Sequence, residues 1–344
     1  MPPPPKPGVI PLRPLNLGDI LGGSFSALGR HWKQLFGMAV VAYGLAALLM
    51  GGAAAIAVAA VYDHLRHLDH VVNSTYRVVP ARSDVQPVVI AGAAVVIFAM
   101  VMWLVAMALL CSAVPAVLQD AVLGRRSTFS AVWRRAWSRF PAVLGTVAVQ
   151  CAALMGMTLL LVVVPMAMFL SASRHHAPSS LPLLLFALGA FVLTPVGTWL
   201  WVRFGFAPAI AVLENQRPLE ALRRSAHLVR GVWWRTFGIL ILVVMISGVI
   251  GYFVQLPLTY GGMFATMPLM LADDSTGSVA LAITIFVVMY LAGMVISQFV
   301  STTLPQLAAG LLYIDQRIRR EDLALALADA AGIPKEPAGP MGTW

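Results

Sequence analysis

The chain has 344 residues, of which 60% are hydrophobic and 11% charged, with a mean hydropathy of +0.85, and so much apolar surface cannot be hidden inside a water-soluble globule of this size. The solvent for most of it is lipid. The net charge of +9 resides largely in arginines flanking apolar runs, with no nucleic-acid-binding motif beside them, so anionic lipid and membrane topology account for it and a nucleic-acid partner does not.

In chain order, residues 1–15 are proline-rich without an apolar core and predict a disordered arm, not a cleavable signal. From Asn16 to Gln34, Leu17, Ile20, Leu21, Leu28, Trp32 and Leu35 recur at helical spacing, leading into an apolar run from Leu35 to Val61. A polar loop follows, with His64, His67 and His70 within one broad helical face. Imidazoles so spaced are a weak candidate for a metal, since no cysteines or second ligand set accompany them. The second apolar run is Val88 to Leu118.

A second basic amphipathic segment spans Ser127 to Phe140, with Phe129, Val132, Trp133, Ala136, Trp137 and Phe140 forming an apolar stripe against Arg134, Arg135, Ser138 and Arg139. Apolar runs from Ala142 to Leu170 and from Leu181 to Val212 come next. The third amphipathic segment, Pro218 to Arg235, sets Leu219, Leu222, Ala226, Val229 and Trp233 against Glu220, Arg223, Arg224, His227 and Arg230, and Glu220 is placed to pair with Arg223 or Arg224. The last two runs are Phe237 to Leu256 and Val279 to Leu312, before a basic segment and loose tail over residues 315–344.

All six runs have the roughly 20-residue length that spans a hydrocarbon core, and none has the period-2 alternation of a barrel strand. The fold expected is therefore all-α and polytopic, with six transmembrane helices. Phe25-Ser-Ala-Leu28, Phe129-Ser-Ala-Val132 and Leu219-Glu-Ala-Leu222 precede the odd spans, while Pro115, Pro208 and Pro305 precede Asp120, Glu214 and Asp315 at the ends of the even ones. This predicts three parallel repeats, about 16–120, 127–214 and 218–314, each an amphipathic surface helix followed by a helical hairpin within a membrane domain of residues 16–314.

On one side of the spans stand Lys6, Arg13, Arg30, Lys33, Arg125, Arg126, Arg134, Arg135, Arg139, Arg217, Arg223, Arg224, Arg230, Arg235, Arg317, Arg319, Arg320 and Lys335; on the other only Arg66, Arg77, Arg82 and Arg174. The positive-inside rule then puts both termini in the cytoplasm. The excess of arginine over lysine, with abundant Ala, Val and Gly, points to a bacterial source and hence a bacterial plasma membrane.

Arg203 falls inside the fourth run, nine residues before Val212, or about 14 Å from that end on a regular helix. Gln298, Thr302 and Gln306 repeat every four residues in the sixth run. With Gln150 these form a candidate polar intramembrane site, the alternative being interhelical hydrogen bonds and a snorkelling arginine. Arg134, Arg135, Arg139, Arg223, Arg224, Arg230, Trp133 and Trp137 form a candidate interface for anionic headgroups, the alternative being connectors packed on the bundle. Cys111 and Cys151 lie inside apolar runs and give no disulfide framework.

Pro11-Leu-Arg-Pro-Leu-Asn-Leu-Gly-Asp-Ile-Leu21, Ala207-Pro208 with Leu213-Glu214, Ala221-Leu-Arg-Arg-Ser225, Leu228-Val-Arg-Gly231, Trp233-Trp-Arg235, Phe237-Gly238 and Leu312-Tyr-Ile-Asp315 with Arg317, Arg319, Arg320 and Glu321 carry a resemblance. In these the chain resembles the bacterial, chiefly actinobacterial, glycerophosphoryl diester phosphodiesterase membrane-domain family, over nearly the whole membrane region. The resemblance implies an envelope or lipid-associated role. It does not imply hydrolysis, because the His-Arg-Gly start and Glu-x-Asp metal motif of the catalytic domain are missing. No cofactor motif, HExxH, Gly-x-Ser-x-Gly or phosphate-binding glycine loop occurs.

The leading expectation is a non-enzymatic membrane protein that organises lipids or partner proteins through cytoplasmic amphipathic helices. A transporter of a lipid-like or amphipathic solute is the alternative, and an integral membrane enzyme of lipid metabolism the third.

Overall fold

Backbone polar groups in lipid must find partners within their own segment, and in a computed structural model of the chain they do so in helices throughout. The structure describes residues 14–64, 66–67, 82–122, 128–174, 181–272 and 276–321. Among these lie eight long or medium helices and no strand: α1 (Leu17–Ala60), α2 (Arg82–Val122), α3 (Phe129–Arg174), α4 (Leu181–Phe204), α5 (Ala207–Leu213), α6 (Pro218–Val229), α7 (Trp233–Ala272) and α8 (Thr276–Glu321). Six stretches are long and apolar enough to cross a membrane, as the sequence predicts, the fourth running through α4 and α5. The protein is an all-helical, multi-pass membrane protein.

Apart from α4, which stops short of the end of its run, the spanning helices are longer than the apolar runs. α3 and α8 have 46 residues each, about 69 Å of regular helix against a hydrocarbon core of about 30 Å, so they project from the core or tilt within it. The excess includes the basic amphipathic segments. The first two are not separate helices, as the sequence pattern suggests, but the leading turns of α1 and α3. α1 bends at His31, whose φ of −118° and ψ of 21° leave the helical region, while α3 continues through Pro141. Only the third segment forms a helix of its own, α6, because Pro218 suits its first turn and Gly231, at φ +86°, turns the chain into α7.

The chain folds as two compact units. One comprises residues up to Leu35, Cys111–Gly251 and residues from Val300 onward; the other comprises Phe36–Leu110 and Tyr252–Phe299. In the first, Leu118, Phe206, Ile210, Leu228, Leu304 and Tyr313 are fully buried, and small residues let helices approach closely. A Cβ on Gly310 would stand 2.4 Å from Leu118 Cδ2, and one on Gly145 would stand 2.6 Å from the Pro218 ring. In the second unit Phe36 and Phe299 pack edge to face at 5.4 Å, and Gln255 donates to Thr259 Oγ1 at 3.0 Å. Leu48, Ile56, Phe191 and Leu271 are each more than 70% exposed, as lipid-facing side chains of a membrane protein are.

Candidate membrane-interface site

In the first unit, the acidic residues that end the even-numbered spans each hold an amphipathic segment. Asp315 is fully buried and accepts hydrogen bonds from Arg235 Nη1 at 2.6 Å, Arg319 Nε at 3.0 Å and the backbone N–H of Leu15 at 2.7 Å. The same two arginines donate to the Leu15 carbonyl, at 2.8 and 3.1 Å. A buried carboxylate thus meets two guanidinium groups and a peptide amide, the company a buried charge requires.

Glu214 accepts from the Tyr313 hydroxyl at 2.6 Å and from Gln216 at 2.8 Å, and pairs with Arg224 at 3.5 Å. Arg224 also binds Glu321, which in turn takes Arg317 Nε at 2.8 Å. Burial works to lower the Arg224 pKa, but the hydrogen bond to Glu321 and the charges of Glu214 and Glu321 outweigh it and raise the value above the ordinary one. Asp120 meets Arg135 at 3.5 Å, and that guanidinium also donates to the Ala116 carbonyl at 3.3 Å. Glu220 does not pair with Arg223 or Arg224 as the sequence spacing allows. It accepts the Arg217 backbone N–H at 3.3 Å and closes the first turn of α6, leaving Arg224 to the more buried acids.

The predicted interface residues therefore divide. Arg135 and Arg224 are structural ion-pair partners, whereas Arg134, Arg139, Arg223 and Arg230 have no carboxylate partner among the described residues, and Arg134, Arg223 and Arg230 are exposed. The predicted apolar stripe of the second segment also splits. Val132 and Ala136 are buried in the unit, and Phe129, Trp133, Trp137 and Phe140 stack one on the next with centroids 5.4 to 6.1 Å apart on another face, where Trp137 is 56% exposed. The first segment does the same, with Ile20, Ser24, Ala27, His31 and Leu35 inward and Phe25 and Trp32 exposed. The sequence pattern merges these two apolar faces because the 3.6-residue period cannot distinguish a face that meets protein from one that meets lipid. In α6, Leu222 and Val229 are buried as the stripe predicts, but Leu219 is exposed.

Of the candidate polar site, Arg203 and Gln150 both stand at a break in the fourth span. The fourth span is interrupted at Gly205 and Phe206, which puts Arg203 in the last turn of α4 and not deep within a regular helix. The interruption is closed by other elements. Ser225 Oγ donates to the Arg203 carbonyl at 2.9 Å and accepts the Phe206 N–H at 3.3 Å, and Gln150 Nε2 donates to the Phe204 carbonyl at 2.6 Å. Gln150 is thus spent on backbone repair. The Arg203 guanidinium lies 4.6 Å from the Trp199 ring centroid and has no carboxylate partner among the described residues. Thr302 and Gln306 belong to the same unit as Arg203 and Gln150. Gln298 belongs to the second unit, where it borders an apolar cavity of about 320 Å³ alongside Tyr43, Met50, Trp103 and Met294.

Of the metal candidates, His70 lies outside the described residues, and among those described no group of three or more His, Cys, Asp or Glu side chains is placed to hold a metal ion. The residue pattern shows Asp120, Glu214 and Asp315 as a repeat but not their partners; Ser225 and Tyr313 enter it only within the segments that carry the resemblance, with no role, and Gln255 not at all. Comparisons with protein-family models, curated proteins and solved structures gave no match.

Proposed function

We propose that this protein is a non-enzymatic component of a bacterial plasma membrane that gathers anionic lipids on the cytoplasmic side through its basic amphipathic segments. One observation carries the reading: the aromatic ladder Phe129, Trp133, Trp137 and Phe140, exposed at Phe129 and Trp137 and half-buried at Trp133 and Phe140, runs beside Arg134 and Arg139, while the opposite face of the same turns is buried. Aromatic rings and unpaired arginines together suit the headgroup region, where rings enter the acyl boundary and guanidinium groups meet phosphates. The resemblance to the membrane-domain family is in keeping with a lipid-associated role.

The test is lipid enrichment around the intact protein. Extracted with a native-lipid polymer from membranes of mixed anionic and zwitterionic lipid, the parent should carry more anionic lipid than the bulk. The quadruple variant Arg134→Gln, Arg139→Gln, Arg223→Gln, Arg230→Gln should lose much of that excess, each charge contributing about 1 kcal/mol near such a surface, and added salt should mimic the loss. Equal lipid composition around parent and variant would end the proposal.

A further inference from the structure

At the end of α4 and the start of α7, Pro195, Val196, Trp199, Trp233 and Trp234 line an open crevice of about 570 Å³. α4 and α7 are linked only through α5, α6 and short turns, so the crevice lies at the basic end of both helices. Its walls are indoles: Trp233 and Trp234 meet edge to face at 4.7 Å, Trp233 stacks on Phe237 at 5.1 Å, and Trp234 is 78% exposed. Trp199, the wall on the α4 side, also carries the Arg203 guanidinium. That cation is fixed at its base, because the Arg203 and Phe204 carbonyls and the Phe206 amide are all held by Ser225 and Gln150. It is charged, anchored and without a carboxylate counter-ion among the described residues.

We propose that this crevice is a binding site for one anionic glycerophospholipid, with the phosphate at Arg203 and the glycerol and upper acyl carbons against the tryptophans. Charge complementarity selects the occupant. An apolar solute would leave Arg203 unpaired, and a free phosphate would leave the indole walls uncovered. A guanidinium offers several donors to phosphate oxygens, and indoles favour the boundary between headgroup and acyl chain. The site uses none of Arg134, Arg139, Arg223 and Arg230, so it stands or falls separately from the proposed lipid enrichment.

Native mass spectrometry of the full chain in detergent, titrated with phosphatidylglycerol or phosphatidylcholine, tests it. The parent should bind one phosphatidylglycerol in preference to phosphatidylcholine. Arg203→Gln should weaken that one site by at least about tenfold, the loss of one charged hydrogen-bonding partner, while Arg203→Lys keeps the preference for the anionic lipid. Trp234→Ala, at an exposed position, should weaken binding of both lipids without disturbing the fold. The quadruple arginine variant should keep the site. Unchanged phosphatidylglycerol binding in Arg203→Gln or in Trp234→Ala overturns the proposal, as does equal loss of both lipids in Arg203→Gln. Displacement of the lipid by millimolar inorganic phosphate alone would also overturn it. Should Arg203→Gln fail to elute as a folded protein, unchanged binding in Trp234→Ala or a lost anionic preference in Arg203→Lys is sufficient to reject the site.

Discussion

The difference between Asp315 and Asp120 shows how burial decides what an ion pair is worth. Asp315 is 0% exposed and supports two arginines and a backbone amide; Asp120 meets Arg135, which is 44% exposed, at 3.5 Å. Asp315→Asn should therefore lower stability by about 2 to 4 kcal/mol, discounted from the deepest buried pairs because Arg235 and Arg319 are each more than a third exposed. Asp120→Asn should cost less than about 1 kcal/mol. Unfolding followed by circular dichroism in detergent compares them, and equal losses would refute the distinction. Ser225 poses a related test. Ser225→Ala leaves the Arg203 carbonyl and the Phe206 amide without their hydroxyl and should cost about 1 to 3 kcal/mol, read as faster hydrogen exchange at Phe206 while distant helices stay unchanged.

For the helices, the close approach of α3 to α6 depends on Gly145, whose missing Cβ makes room for the rigid ring of Pro218. Gly145→Ala should displace the start of α6 and cost about 1 to 3 kcal/mol, visible as increased proteolysis near Arg217. Much of this scale was legible in the sequence. Apolar length alone located the six spans, because lipid imposes one requirement on every spanning segment. The boundaries were less legible. Nothing in the residue pattern of Phe129 to Phe140 distinguishes a helix lying on a surface from the first turns of a long spanning helix, and Gly205 and Pro208 signal a kink between Trp199 and Val212 without showing that Gln150 and Ser225 from other elements meet the freed groups. The candidate site suffered more for the same reason. Gln150 and Arg203 meet at the break in the fourth span, where Gln150 holds the Phe204 carbonyl, a contact between elements that no residue spacing announces.

On the scale of the whole molecule, the basic asymmetry predicts an orientation that labelling can check. In a chain with Cys111 and Cys151 replaced by alanine, Ser83→Cys should react with a membrane-impermeant maleimide in intact cells, and Ser138→Cys only after permeabilisation; both positions are exposed. The reverse pattern would overturn the assignment of the basic side to the cytoplasm.

The clasp on Leu15 reaches across 300 residues to Asp315, and with Arg235 and Arg319 it gathers groups supplied early and late in synthesis. During insertion into the membrane, Leu15 emerges long before its acceptor exists, so this contact forms only after the eighth helix has been made. The leading segment is therefore secured last: a chain that stops before Asp315 lacks the carboxylate that holds the Leu15 amide.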